Sequence, residues 1–315
     1  MVVHCDWSLR PNKRIYAAAE RLNGRWTLHQ TDLVPADPLD LLLYRPGKSL
    51  FIGLDLPLGV PQAWAKQVNV QSFRQLLTQL GRGDSRWQSF FDVAETAADI
   101  SPTRPFYPLK AGGTKRQFLV DGLNLRDADQ LRRLCDQATG YRRAAAPLFW
   151  TMGAQQVGKA ALSAWRELLL PLLANPTANL ALWPFDGELF DLISQNRLVL
   201  AEVYPAEMGH HIGIEFPTID GKKTGKRSQL ARKHNAAPIF ALADRLSLQL
   251  DEALQAEIKN GFGDAADGED RFDAYIGLLG MLLVLSQQLD QGRPPSDTIT
   301  QTEGWLLGLS AASIK

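Results

Sequence analysis

The chain predicts an α/β fold, a mixed sheet flanked by helices, with a mostly helical insertion near residues 62–150 of its 315. Three observations carry this. Residues 49–59 (SLFIGLDLPLG) hold a short apolar run, Phe51, Ile52 and Leu54, the pattern of a strand buried on both faces. Asn23-Gly24 stands between two strand-like runs, the strongest short hairpin signal. Residues 270–289 read as a long helix whose first turn is crowded with acids, where they suit the helix dipole.

Composition sets the outer bounds. At 45% hydrophobic residues the chain can bury the core of one large domain or two modest ones, and it reads as a single domain, 1–315. Lys+Arg and Asp+Glu both number 34, so no global basic field gathers a polyanion, and nucleic-acid binding must come from local clusters. Two cysteines, Cys5 and Cys135, make no disulfide framework and suit a reducing compartment. No basic-then-apolar leader opens the chain, and charges interrupt every apolar run before the ~18 residues a membrane span needs. A cytoplasmic protein without a membrane partner is expected.

In chain order, residues 2–5 form a first strand ending near Asp6. Residues 15–22 and 25–33 pair across Asn23-Gly24, and 38–44 form a short helix. The next strand ends near Asp55, because Pro57 cannot donate to a ladder and Gly59 suits a turn. Three antiparallel strands, a helix and a buried strand open an RNase-H-like sheet of five strands. They also open the actin-like kinase fold, and topology alone does not choose. The stretch 62–147 is helical over 73–80 and 129–138, broken at 101–105 and at Gly112-Gly113, and expected over the open end of the sheet. Between 101 and 143 nine bases face four acids, with Phe106 and Tyr107 beside Arg104. This reads equally as a solvated face or a polyanion groove.

Residues 154–173 form an amphipathic helix and 180–183 a strand. Strand 198–203 delivers Glu202 just before Tyr204-Pro205, repeating the Asp55 arrangement. Residues 221–234 carry six bases and no acid, and 239–258 continue helical. In the last helix Asp270 and Asp273 share one face, and Gly277 and Gly280 continue the stripe. A helical glycine costs about 1 kcal/mol against alanine. The stripe therefore predicts close packing on the sheet, holding Asp273 near the strand ends. Glu303 shows no local purpose.

Together, Asp6, Asp55, Glu202, Asp270 and Asp273 point to one chemistry. Neighbouring strands lie about 4.8 Å apart, so acids at adjacent strand ends can share an ion. Clustered carboxylates repel, and the remedies are protonation, a basic partner or a divalent cation. Hard oxygen ligands favour Mg²⁺ or Mn²⁺. Two such ions about 3.5–4 Å apart activate a water and stabilise a leaving oxygen in phosphodiester hydrolysis. Singly, each acid suits a turn or a helix start; jointly they favour a metal site. The five histidines show no zinc spacing, His210-His211 reads as polar loop and Cys5 as core. No G-x-S-x-G elbow or Walker loop occurs.

FIGLDLPLG, AEVYPAE, GEDRFDAYIGLL and EGWLLGL, in that order, resemble the domain of unknown function 429 family, regarded as predicted nucleases of the RNase-H-like superfamily. APLFWTMGAQQVGKA resembles the start of that family's central helix, and the resemblance covers most of the chain. It implies an RNase-H-like fold with acids at Asp6, Asp55, Glu202 and Asp273. Asp6 would match the first-strand aspartate, and Asp270 and Asp273 the last-helix acids of the Holliday-junction resolvase branch. Many members place a glycine after the first aspartate, whereas Trp7-Ser8 follows here.

The expected protein is thus a Mg²⁺- or Mn²⁺-dependent nuclease. Asp6 and Asp55 would bridge the ions, Asp273 with Asp270 or Glu202 would complete the shell, and Arg104, Lys115 and Lys226 would contact phosphate. Two alternatives stand beside it. A non-catalytic nucleic-acid or nucleotide binder retaining the fold is compatible with zero net charge and the bulky Trp7. An actin-like phosphotransferase needs a glycine-rich phosphate loop, yet no glycine lies between Asp6 and Gly24.

Overall fold

The computed structural model describes residues 1–37, 40, 49–152, 157–195, 197–219 and 221–315. Apart from Asp40, the helix expected at 38–44 lies outside them, as does the 154–156 start of the amphipathic helix. The chain divides into two compact units, Met1–Asp55 with Ile193–Gln291, and Leu56–Leu192 with Gly292–Lys315. The stretch read as an insertion falls within the second.

The first unit is a mixed sheet with helices packed along it. Strand β1 (Val2–Asp6) runs through its middle, four of its five residues buried. It pairs antiparallel with β2 (Ile15–Leu22), which pairs antiparallel with β3 (Arg25–Leu28). Asn23 and Gly24 turn the hairpin with φ of 50° and 82°, the left-handed pair whose twist matches the strands. The expected strand 25–33 is broken. β3 stops at Leu28, and β4 (Asp32–Leu33) returns to pair with Ile15 and Tyr16. On the other side of β1 lie β5 (Leu50–Leu54) and β6 (Leu198–Glu202), both parallel and wholly buried. A short β7 (Gln249–Leu250) adds parallel to β3. The order β7-β3-β2-β1-β5-β6, with β4 beside β2, makes the sheet larger than the five strands expected. Two-residue strands carry too little periodicity to be read from sequence.

The long helix Gly268–Leu285 lies against β1, β2, β5 and the helix Pro205–Ile212. His210 and His211 belong to that second helix, not to a loop. The helix expected at 239–258 is two helices, Ala236–Arg245 and Glu252–Lys259. Ser247 at φ 52° breaks it, and Asp251 caps the restart by accepting from the Leu254 amide at 2.7 Å. Among the described residues no helix is long and apolar enough to cross a membrane.

The second unit is built on aromatic packing. Phe73 and Trp165 have ring centroids 5.0 Å apart, Trp64 and Phe149 5.1 Å, Phe106 and Phe149 5.3 Å. Phe106 and Tyr107 are buried here, so they are core rings and not a platform for bases. Arg132 and Arg142 likewise turn to backbone carbonyls, of Ala145 and of Gln137 and Cys135. The helix expected at 129–138 is two separate turns, Asp129–Leu131 and Leu134–Asp136. Asp136 accepts from the Arg133 backbone amide and guanidinium, a local bond that competes with helix. In the amphipathic stretch, Val157–Ala164 and Leu170–Ala174 are α-helical, and Trp165–Leu169 between them widens to a π turn. Pro171 has no N–H to continue the ladder, which explains the wider turn.

Glu303 has a role no local pattern showed. Its buried carboxylate accepts from the backbone amides of Gln62 at 2.8 Å and Leu134 at 2.6 Å. Glu303→Ala should cost about 3 kcal/mol, since two amides lose a charged acceptor. Urea unfolding checks this, and an unchanged midpoint would assign those amides to water.

Candidate carboxylate site

Register brings the acids of the first unit together. Cys5 pairs with Leu54, and the Asp55 amide donates to the Cys5 carbonyl at 3.0 Å. Asp6 and Asp55 therefore stand side by side where two parallel strands end, on one face of the sheet. Two residues back on that face, His4 and Gly53 are cross-strand partners. A Cβ on Gly53 would lie 2.6 Å from Met281 Sδ and from Val203 Cγ2. A Cβ on Gly277 would lie 2.3–2.4 Å from three atoms of the His4 ring. The long helix thus rests directly on this pair.

That contact sets where Asp273 arrives. From Gly277 back to Asp273 is one helical turn, about 6 Å. From His4 to Asp6 is two residues of strand, about 6.6 Å. The matched lengths deliver Asp273 to the strand ends. Gly280 meets a different neighbour, with its Cβ position 2.3 Å from Met208 Cγ on the helix Pro205–Ile212. The expectation that both glycines pack on the sheet holds for Gly277 alone. His4 reinforces the register, its Nδ1 lying 3.0 Å from the Ala274 carbonyl and its Nε2 3.4 Å from that of Val203. Burial lowers its pKa to about 4, so the ring is neutral near pH 7.

Electrostatics follow from this convergence. Burial raises the Asp6 carboxyl well above its ordinary range, and Asp273, Asp55 and Asp270 add to the rise against an opposing Lys226. Asp55 is pushed up to about 7, first by burial, then by Asp273. Asp273 and Asp270 are raised too, both chiefly by burial. Among the described residues, Asp270 Oδ2 is buried and has no hydrogen-bond partner.

The counter-charge is Lys226, whose ammonium contacts Asp273 Oδ2 and lies 3.5 Å from Glu269 Oε1. Burial alone would lower its pKa, but Asp273, Asp55 and Glu269 raise it. Sequence reasoning grouped Lys226 with phosphate contacts and missed Glu269, His4 and Gly53. For Gly53 the signal was present, as a glycine inside a buried strand marks a close approach.

Glu202 is buried at the end of β6 but is in register with Leu54, one step off Asp55. Alternation turns it to the face opposite Asp6, and its effect on Asp55 is the smallest of those named. Trp7 is buried beneath the Arg14 guanidinium, 4.1 Å from the ring centroid. Arg104 and Lys115 belong to the second unit. There Arg104 donates to the carbonyls of Asp92 and Val93 at 3.3 Å each, and Lys115 precedes the helix Arg116–Gly122.

The site residues offer only oxygen donors, which suits Mg²⁺ or Mn²⁺, and Asp270 has an oxygen to give. Among the described residues, no three His, Cys, Asp or Glu side chains converge into a metal shell. Asp273 is instead neutralised by the lysine.

The raised Asp55 has a measurable consequence. Its ordinary value is 3.8 and its folded value about 7, so between them the folded state keeps a proton that the unfolded state loses. This contribution is fully present at low pH and is lost as pH rises to about 7. Asp55→Asn should therefore gain stability over the native chain steadily from pH 4 to 7, by a few kcal/mol at most. Paired melting curves across that range check it, and a pH-independent difference would contradict it.

No family model, curated protein or solved structure matches the chain.

Proposed function

We propose that the first unit is an RNase-H-like domain and that its acid cluster hydrolyses phosphodiester bonds of nucleic acid with Mg²⁺ or Mn²⁺. The strand order β3-β2-β1-β5-β6, antiparallel then parallel about β1, agrees with that fold. One observation carries the reading: with Gly277 packed on His4, Asp273 lies near enough to the adjacent pair Asp6 and Asp55 for its charge to act on both. Buried carboxylates that raise one another's pKa are costly to keep unless the site has a use for their charge.

Asp6, Asp55 and Asp273 would hold the ion, with Asp270 beside them. When bound, such an ion supplies an activated water and stabilises the leaving oxygen. Asp270, whose Oδ2 has no partner among the described residues, would add an oxygen donor to the site. The neutral His4 and the apolar Met281 close the site from behind and exclude bulk water.

The test is purified protein on panels of single- and double-stranded DNA and RNA with millimolar Mn²⁺ and with EDTA. Metal-dependent cleavage is expected. Intact substrates throughout would sink the nuclease reading. A second reading has its own observation. Lys226 already neutralises Asp273 and Glu269, as it would in a non-catalytic binding protein that kept the fold. A melting temperature indifferent to Mn²⁺ would favour that reading, since an ion bound to the native state must stabilise it.

A further inference from the structure

We propose that Lys226 is a latch on the acid site: its ammonium occupies the place a divalent cation needs, and the ion binds only by displacing it. This rests on the metal reading of the cluster. Four features support it.

The backbone of Lys226 is fixed. Arg232, 3% exposed, donates to the Lys226 carbonyl at 2.5 Å, to Gly261 at 2.8 Å and to Gly263 at 2.6 Å. A Cβ at Gly268 would lie 2.6 Å from that guanidinium, so the position is built for the arginine. Only the side chain of Lys226 is left to move.

It has somewhere to go. The Lys226 side chain is 44% exposed, whereas that of Asp273 is 7% exposed. A long chain at the rim of a closed carboxylate can swing into water without unpacking a core.

Charge favours exchange. The Lys226 ammonium is shared between Asp273 and Glu269, and a divalent cation offsets neighbouring carboxylates more fully than one ammonium. Both cannot occupy Asp273 Oδ2.

Glu269 is provided for. Arg227 Nε lies 3.5 Å from Glu269 Oε2, the oxygen Lys226 does not approach, so Glu269 keeps a cation after the exchange. The released Lys226 then stands beside Arg227 at the mouth of the site, where a nucleic-acid phosphate would meet it.

The test compares Mn²⁺ binding by the full chain and by Lys226→Met, using calorimetry at fixed pH. The variant should bind about tenfold tighter, because competition between two ligands for one carboxylate is a reciprocal coupling. Its metal-free melting temperature should fall. Equal or weaker binding by the variant would overturn the latch and leave the acid site standing. No Mn²⁺ binding by either protein would overturn the acid-site reading and the latch with it. Should the variant not fold, the native chain decides. An amine-reactive reagent read by mass spectrometry should label Lys226 several-fold faster once Mn²⁺ is added, and unchanged labelling would overturn the proposal.

Discussion

Asp6→Asn should reduce Mn²⁺-dependent cleavage about a thousandfold, taking the metal's charge stabilisation as several kcal/mol and each ~1.4 kcal/mol as tenfold. The same substitution should raise the melting temperature of metal-free protein. Asp6 is half-buried, and desolvation together with Asp273, Asp55 and Asp270 disfavours its charge. An amide of the same shape removes that repulsion. The opposite signs make the experiment informative. An aspartate kept for a turn or a cap would lower the melting temperature when replaced. Loss of cleavage with a lower melting temperature would mean that Asp6 supports the fold and not the chemistry.

Gly277→Ala should cost about 3 kcal/mol, the upper part of the range for overpacking a closed core. On an open helix face the change would be worth about 1 kcal/mol of added stability. Here the methyl would sit 2.3–2.4 Å from three atoms of an imidazole with no room to retreat. The helix must lift or the ring must turn, and either moves Asp273 away from Asp6. Mn²⁺ binding should therefore weaken along with stability. Adding His4→Ala should return part of both, so that the two changes together cost less than their sum. Chemical denaturation of the four proteins measures it, and additive costs would sever the link between this contact and the site.

Much of the site was legible because it depends on where strands end. An apolar run, a carboxylate and a proline mark a strand terminus without reference to the rest of the chain, and Asp55 followed from that. Asp273 was legible through the glycine one turn later. The pairing of Lys226 with Asp273 could not be read because Lys226 lies in a run of bases with no acid nearby in sequence. Its carboxylate is 47 residues away, and a one-dimensional charge pattern carries no sign of such a pairing. Gly280 was misassigned because a glycine signals that something approaches, not what. At the helix expected over 129–138, long-range contacts add to the local Arg133–Asp136 bond, and the role of Glu303 is hidden by contacts of the same long range. Arg133 Nη1 donates to the carbonyls of Leu58, 75 residues away, and Glu303, 170 away, and such contacts override local propensity.

The Glu303 bond to Gln62 spans 241 positions, and both compact units are assembled from distant parts of the polypeptide. On the ribosome, neither can close while its later segment is still unmade. The Gln62 and Leu134 amides wait, unbonded to their acceptor, until position 303 has been made. Contacts of such separation slow folding and leave incomplete chains prone to aggregation. Each unit therefore closes only once its later segment has been made, and yield in cells depends on how well the nascent chain is shielded until then.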